Sequence, residues 1–288
     1  MYTFIVNPAA GNGHALKTER LLAEQLHKMN VAHEFLHTEH PEHATELARL
    51  AAAKDGCQGV IAVGGDGTAY EVACGLMNSG VPFGIIPAGT GNDFIKTVDI
   101  PKKPLDALQA ILDKQARPVD VGRLNGRMFL NVCGTGFDVQ TLEYTQAAKK
   151  YVRGIFPYLI GLVRAIFSYK PVHVQFTADG ETQERDVLLC SIANGRFIGG
   201  GIPVCPDARP DDGMLDMVIV ETKPRWKIPF YLPGLLMGKI DQFKITTHKR
   251  CRSMTIASKD MHLNVDGEIL YLDQAEFEVM PGKLLLFW

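Results

Sequence analysis

The sequence predicts two domains, an α/β domain with a parallel sheet followed by a mostly antiparallel, β-rich domain. Three observations carry that reading. The chain has 288 residues, a length that gives a prior of about two domains at roughly 150 residues each. Up to about residue 122, short apolar runs alternate with segments of helical period, the signature of a parallel sheet covered by helices. Beyond residue 123 the texture changes to many short strands separated by turn signals.

In the first domain the elements follow one another in strict alternation. Thr3 to Val6 reads as a strand and Leu16 to Met29 as a helix; Val31 to Leu36 is followed by the helical His43 to Ala53. Gly59 to Val63 leads into Thr68 to Asn78, and Phe83 to Ile86 precedes the helix-like Leu105 to Lys114. In the second domain the expected strands are Met128 to Val132, Val172 to Ala178, Val187 to Ala193, Met214 to Val220, Ser253 to Ile256, His262 to Val265 and Ala275 to Val279. Helix-prone stretches interrupt them at Asp138 to Tyr169 and Lys227 to Lys239. The domains are therefore placed at 1–122 and 123–281, with about 282–288 expected to pack back on the first.

Composition narrows the function classes. Thirty Lys plus Arg against 32 Asp plus Glu gives a net charge of −2, so no global basic field points to nucleic acid. The six cysteines lie far apart without a CxxC pair, which reads as reduced thiols in a cytoplasmic protein. No basic leader with a cleavage site precedes the first strand, so the chain is expected to start here. The greasiest window, Gly154 to Val163, is ten residues long, against about 20 needed for a membrane span.

The carboxyl ends of the parallel strands carry the special residues, and ligands bind at such ends. Val60-Ile61-Ala62-Val63-Gly64-Gly65-Asp66-Gly67-Thr68 is a buried strand, a glycine loop and a helix start. Glycines let backbone N–H groups approach a phosphate, and a helix N-terminus adds partial positive charge. A second reading makes Thr68 the helix cap and Glu71 its capping-box partner. Asn7-Pro8-Ala9-Ala10-Gly11-Asn12-Gly13 follows the first strand and Pro87-Ala88-Gly89-Thr90-Gly91-Asn92-Asp93-Phe94 the fourth. Three such loops on successive strand ends are hard to read as turn chemistry alone.

These motifs, with Pro206-Asp207-Ala208-Arg209-Pro210-Asp211-Asp212-Gly213 and Asp266-Gly267-Glu268 in the second half, resemble the diacylglycerol kinase catalytic domain of bacterial soluble lipid kinases, related to sphingosine kinase and NAD kinase. Tyr70 stands where that family usually has Asn. The resemblance covers essentially the whole chain. It implies a three-layer α/β nucleotide domain, an active site in the cleft between the domains, and transfer of the γ-phosphate of ATP to a lipid hydroxyl, with diacylglycerol the leading acceptor. A soluble acceptor, as in NAD kinase, and a non-catalytic nucleotide- or lipid-binding protein are the competing readings.

By motif position the resemblance places Asn7, Pro8, Ala9, Ala10, Gly11, Thr38, Gly64, Gly65, Asp66, Gly67, Thr68, Ala69, Tyr70 and Thr90 around ATP, with Asp66 near the phosphates and their Mg²⁺. It implies a Mg²⁺ site in the second domain from the Asp212 carboxylate and the carbonyls of Arg209 and Met214, oxygen donors that suit this ion; a plain hairpin turn is the other reading. It makes Glu268 the general base. Asp179-Gly180-Glu181 is the same tripeptide, but its surroundings are polar, as at an exposed hairpin tip. Those of Glu268 are apolar (Leu263, Val265, Ile269, Leu270), which fits a partly buried carboxylate of raised pKa.

Two apolar stretches edged with basic residues are open between domain core and transient docking on an anionic membrane surface. Tyr151 to Tyr169 places Ile155, Leu159, Leu162 and Ile166 on one stripe, with Arg153 and Arg164 beside it; Arg225 to Phe243 gathers Trp226, Phe230, Tyr231 and Leu235 near Arg225 and Lys227. His37, His40 and His43 invite a zinc reading, but Pro41 breaks any shared helix face. The sequence leaves the oligomeric state open.

Overall fold

The computed structural model describes residues 1–148, 150–152, 156–178 and 180–288, with the backbone alone for Tyr158. The chain divides into two compact units: Met1–Val121 with Pro210–Gly213 and Met280–Trp288, and Gly122–Arg209 with Met214–Val279. Unit 1 carries β1 (Tyr2–Val6), α1 (His14–Lys28), β2 (His33–His37), α2 (His43–Ala52), β3 (Gly59–Gly64), α3 (Asp66–Leu76), β4 (Phe83–Pro87), α4 (Asp93–Thr97), α5 (Pro104–Asp113) and most of β5 (Ala116–Leu124). Unit 2 continues with β6 (Arg127–Phe129), β7 (Val132–Gly136), α6 (Phe137–Ala148), α7 (Phe156–Ser168), β8 (Val172–Ala178) and β9 (Glu181–Ala193). It then holds β10 (Phe197–Ile198), β11 (Ile202–Pro203), β12 (Leu215–Glu221), α8 (Ile228–Leu236), β13 (Thr246–Cys251), β14 (Ser253–Val265) and the first part of β15 (Glu268–Phe287).

In unit 1 the strands run parallel in the order β2-β1-β3-β4, and Leu286 near the end of β15 pairs in parallel with Phe83. Phe4 to Val6 and Val60 to Val63 are all fully buried, as continuous apolar strands in parallel sheets are. Helix α1 turns Ala15, Thr18, Leu22 and Leu26 inward, the repeat of an amphipathic helix. Helix α3 begins at Asp66, not Thr68, because the extended Gly65 (φ −100, ψ −168) is its N-cap.

Residues Pro210–Gly213, expected in the second domain, belong to unit 1. Their backbone is tied to Asp120: the Asp120 amide donates to Pro210 O at 2.6 Å, and the Gly213 amide donates to Asp120 Oδ2 at 2.6 Å. Asp120 Oδ1 also accepts from the Gly282 amide at 2.8 Å.

Unit 2 is antiparallel, in the order β13-β12-β9-β7-β14-β15, with β8 paired to both β9 and β14. The period of two sorts each strand between two cores. Leu215, Met217 and Ile219 join Cys190, Val265 and Phe277 in one, while Val218 and Val220 join Tyr169, Ile228 and Ile240 in the other. The single helical stretch expected from 138 to 169 is two helices. Gly161 lets them meet, since a Cβ there would lie 2.3 Å from Thr145 Oγ1 and 2.7 Å from Thr141 O. The two strands expected at 253–256 and 262–265 are one strand, β14, whose pairing shifts between Ala257 and Met261. Among the described residues no helix is long and apolar enough to cross a membrane.

Candidate active site

In unit 1 the three glycine loops close on one another. Asn7 Nδ2 donates to Thr68 Oγ1 at 3.1 Å while its Oδ1 accepts from the Ala9 amide at 3.0 Å, so the first loop is bound to the start of α3. The Ala88 and Gly89 amides both donate to Gly64 O, at 2.8 and 3.1 Å. Contact is tight enough that a Cβ on Gly89 would meet Gly65 Cα at 2.3 Å, and one on Gly11 would meet Ala88 O at 2.2 Å. Asp66 completes the junction. Its Oδ1 accepts from the amides of Asp93 at 2.7 Å and Phe94 at 3.2 Å, closing the first turn of α4. Burial, and next the charge of Asp93, raises the Asp66 pKa above the usual carboxylate value; Asp93 in turn pairs with Lys96 at 2.9 Å.

The first intrahelical donor of α3 is the Ala69 amide, to Gly65 O at 3.0 Å, which leaves the preceding amides at a positive helix end. Gly67 is exposed, and a Cβ there would meet nothing within 4 Å. Its smallness therefore serves no internal contact. Thr38 is held by its amide to Val6 O at 2.9 Å, Thr90 is exposed, and α3 is regular past Tyr70. Glu71 does not cap its own helix: its Oε2 accepts from the Ala44 amide at 3.1 Å, at the start of α2. Thr68 is not the cap either, since it lies inside α3, past the N-cap Gly65, and its hydroxyl accepts from Asn7 instead.

In unit 2, Asp266 and Gly267 form the two-residue turn between β14 and β15, with Val265 opposite Glu268 and both turn residues at positive φ (47 and 96), as a type I′ hairpin requires. The Asp266 carboxylate accepts three amides, Leu130 at 2.6 Å and Asn131 and Val132 at 3.0 Å each. Glu268 is not buried. Its side chain is 65% exposed and pairs with Arg127 Nη2 at 2.5 Å. Leu263 and Val265 fill the core from β14; Glu268, opposite Val265 and so on the same face, is exposed because it opens β15 at the turn, where that face runs out of core. Asp179 lies outside the described residues; Glu181, the corresponding glutamate, is exposed and opens β9.

Asp212 is an exposed carboxylate in a turn whose Gly213 has φ +72. A carboxylate with flanking backbone carbonyls is an all-oxygen donor set, which fits Mg²⁺. His40 and His43 stack with ring centroids 4.5 Å apart, but each of the three histidines is bonded elsewhere: His37 to Glu19 at 2.8 Å, His40 to Pro41 O at 2.9 Å, and His43 accepts from the Glu39 amide at 3.1 Å. None of the six cysteines is in a disulfide.

Sequence reasoning missed Asp138, at the head of α6. Its Oδ1 is buried without a hydrogen-bond partner, and burial raises its pKa to about 6. Of the apolar stretches, Arg153 and Ile155 lie outside the described residues. Helix α7 buries Ala165 and half-buries Leu162 and Ile166, but it exposes Phe156, Leu159, Ile160, Val163 and Phe167. Trp226, Phe230, Leu236 and Met237 are exposed as well, and Arg225 Nη1 donates to Phe167 O at 3.4 Å, joining the two segments. Phe137, Leu188, Val220, Ile228, Tyr231 and Leu235 line an apolar cavity, to which α8 but not α7 contributes.

A parallel sheet ending in three interlocked glycine loops, one of them at a helix N-terminus, is an arrangement suited to holding a phosphate group. Residues 1–124 match the family described as the diacylglycerol kinase catalytic domain, and residues 131–288 match the YegS C-terminal NAD kinase beta sandwich-like domain. A Pseudomonas aeruginosa protein named "Probable lipid kinase YegS-like" is 38% identical over 232 residues, 78% of this chain and 74% of that one. A Mycobacterium tuberculosis protein named diacylglycerol kinase is 28% identical over 291 residues, 98% of this chain and 93% of that one. A crystal structure from Bacillus anthracis covers 100% of this chain and 97% of its own with a TM-score of 0.82 and 28% identity. A second from that organism, titled as that of a diacylglycerol kinase, covers 100% of this chain and 96% of its own, with a TM-score of 0.72 and 25% identity. The chain belongs to the diacylglycerol kinase catalytic-domain family, among its YegS-like lipid kinases. That membership makes it a phosphotransferase.

Proposed function

We propose that the protein transfers the γ-phosphate of ATP to a lipid hydroxyl, with diacylglycerol as acceptor and phosphatidic acid as product. The observation that carries this reading is the glycine junction of unit 1, where Gly67 is left open beside the positive end of α3. Residues Asn7 to Gly11, Thr38, Gly64 to Tyr70 and Thr90 surround ATP, with the phosphates at the α3 amides and Asp66 beside them. The Asp212 carboxylate and the carbonyls of Arg209 and Met214 would hold Mg²⁺, which would supply charge neutralisation for the phosphoryl group. Glu268 takes the proton from the acceptor hydroxyl, and Arg127 fixes the direction of its carboxylate. An exposed carboxylate suits that role because the acceptor must reach it.

The acceptor is delivered from a membrane surface. Five apolar side chains exposed along α7, with Trp226 and Phe230 close by, form the kind of patch that soluble monomers rarely show without a partner. Arg164, Arg225 and Lys227 edge it, which suits an anionic leaflet. The test is γ-labelled ATP with Mg²⁺ and a total lipid extract, the product identified by mass spectrometry. Labelled phosphatidic acid is expected. Label on NAD, ATP binding without labelled product, or transfer no faster than by Asp66→Ala rejects the reading.

A further inference from the structure

Strand β12 reads Leu-Asp-Met-Val-Ile-Val, and its aspartate, Asp216, is 1% exposed on the face that Val218 and Val220 share with a hydrophobic core. A carboxylate there is costly unless fully bonded, and it is not. Its Oδ1 accepts from His248 Nε2 at 2.6 Å and lies 3.6 Å from Arg250 Nε, while its Oδ2 is buried with no hydrogen-bond partner. His248 stands on β13 opposite Val218, hence on the same face. Its other nitrogen, Nδ1, is 3.9 Å from Asp241 Oδ1. Asp241 belongs to the short turn 240–242, which is pinned by Thr246 Oγ1 to Ile240 O at 2.8 Å. Both Asp241 oxygens are also buried without a hydrogen-bond partner. Asp207 brings a third carboxylate, and ligand atoms of Asp207, Asp241 and His248 lie within 4.8 Å of one another.

Three orphaned buried carboxylate oxygens in one place need a positive charge that the protein supplies only in part. We propose that Asp207, Asp241 and His248 bind a divalent first-row metal ion of the zinc or manganese type, with Asp216 orienting the histidine. Two carboxylates and one imidazole form a mixed oxygen–nitrogen donor set, softer than the all-oxygen set of Asp212. Asp216 fills the role of a carboxylate bonded to the far nitrogen of a metal-binding histidine: it keeps the proton on Nε2 and leaves the Nδ1 lone pair for the ion. The ion ties the 207 loop and the 240–242 turn to the β12–β13 ladder, and so braces the segment leading into the Asp212 turn.

The test uses the full chain stripped with a chelator and titrated calorimetrically with Zn²⁺ alone, then with Mn²⁺ and Mg²⁺ in separate runs. One equivalent of Zn²⁺ or Mn²⁺ is expected to bind, and a 100-fold excess over Kd should raise the melting temperature by about 5 °C or more. Asp207→Ala, at an exposed position that leaves the core intact, should abolish that binding. Asp216→Asn should weaken it about 10- to 100-fold, and Asp212→Ala should leave it unchanged. Circular dichroism confirms that each variant is folded. Absence of Zn²⁺ and Mn²⁺ binding, or binding that survives Asp207→Ala and His248→Ala, overturns the proposal; so does binding lost only in Asp212→Ala.

Discussion

Asp66 in unit 1 and Asp266 in unit 2 perform the same local task in different company. Each accepts main-chain amides from a neighbouring loop, among them those of Asp93 and Phe94 for Asp66 and those of Leu130, Asn131 and Val132 for Asp266. Asp66 does so beside a like-charged neighbour, and its burial disfavours the ionised form. Asp266 sits in a hairpin turn two residues before an exposed glutamate. The contrast separates two uses of an acidic motif. In unit 1 the aspartate shapes the glycine loops proposed to hold the phosphates, while in unit 2 it sets the turn that presents Glu268.

The comparison breaks first at Glu268. If Asp266 holds the turn and Glu268 does the chemistry, Glu268→Ala should lower kcat about 10²- to 10⁴-fold with the melting curve unchanged, because the side chain is exposed. Glu181→Ala, at the other hairpin, should leave kcat within twofold of the parent. Steady-state kinetics on vesicles decides it, and equal losses in both variants would remove Glu268 from its role.

Asp266→Ala should instead act on the fold. Three amides lose a charged acceptor, and at about 1 kcal/mol or more for each the loss is about 3 kcal/mol. Asp66→Ala should cost less, about 1–2 kcal/mol, because its loss also relieves a charge that burial and Asp93 disfavour, which offsets part of the bonds lost. Urea unfolding measures both, and the reverse order would show that the two anchors are not comparable.

None of this anchoring could be read from the sequence, because the partners of Asp266 are amides of residues 130–132, and amides carry no side-chain signal. Asp120 is equally hidden: its partners, Gly213 and Gly282, lie 93 and 162 residues away. What was legible followed from periodicity. Apolar runs such as Val60 to Val63 and the α1 stripe report their own burial, and the glycine motifs mark strand ends where backbone approaches closely. Glu268 is exposed although its face is the core face, because it opens β15 beside the turn, and alternation along a strand reports which face a residue lies on but not where the core beneath that face ends. The exposed face of α7 was ambiguous because a stripe of Phe, Ile and Val reads alike whether it meets core or membrane.

Asp138 extends the contrast to a carboxyl with an orphaned oxygen. Its pKa rises from 3.8 to about 6 on burial, so the folded state holds the proton more tightly than the unfolded chain. Its stabilisation is therefore complete below about pH 4 and is lost as pH rises through about 6. At about 1.4 kcal/mol per pH unit, that gap is worth about 3 kcal/mol. Asp138→Asn should flatten the stability profile across this window in urea titrations at pH 4.5 and 7. A parent profile already flat there would refute the assignment.

The smallest effect tests what the unit 1 glycines are for. A Cβ on Gly89 would meet Gly65 Cα at 2.3 Å and Gly65 N at 2.9 Å, both backbone atoms, so Gly89→Ala should destabilise the fold by about 1–3 kcal/mol through overpacking. A Cβ on Gly67 would meet nothing within 4 Å. In a helix, alanine is the better former by up to about 1 kcal/mol, so Gly67→Ala should leave the chain as stable or slightly more so. If the phosphates lie against that amide, the methyl group enters their space, and ATP affinity should fall about tenfold, or about 1.4 kcal/mol. Calorimetric ATP titration of Gly67→Ala, with its melting curve alongside, separates the two glycines: one is small for the loop beside it, the other for the ligand. Unchanged ATP affinity in Gly67→Ala would move the phosphates away from the start of α3.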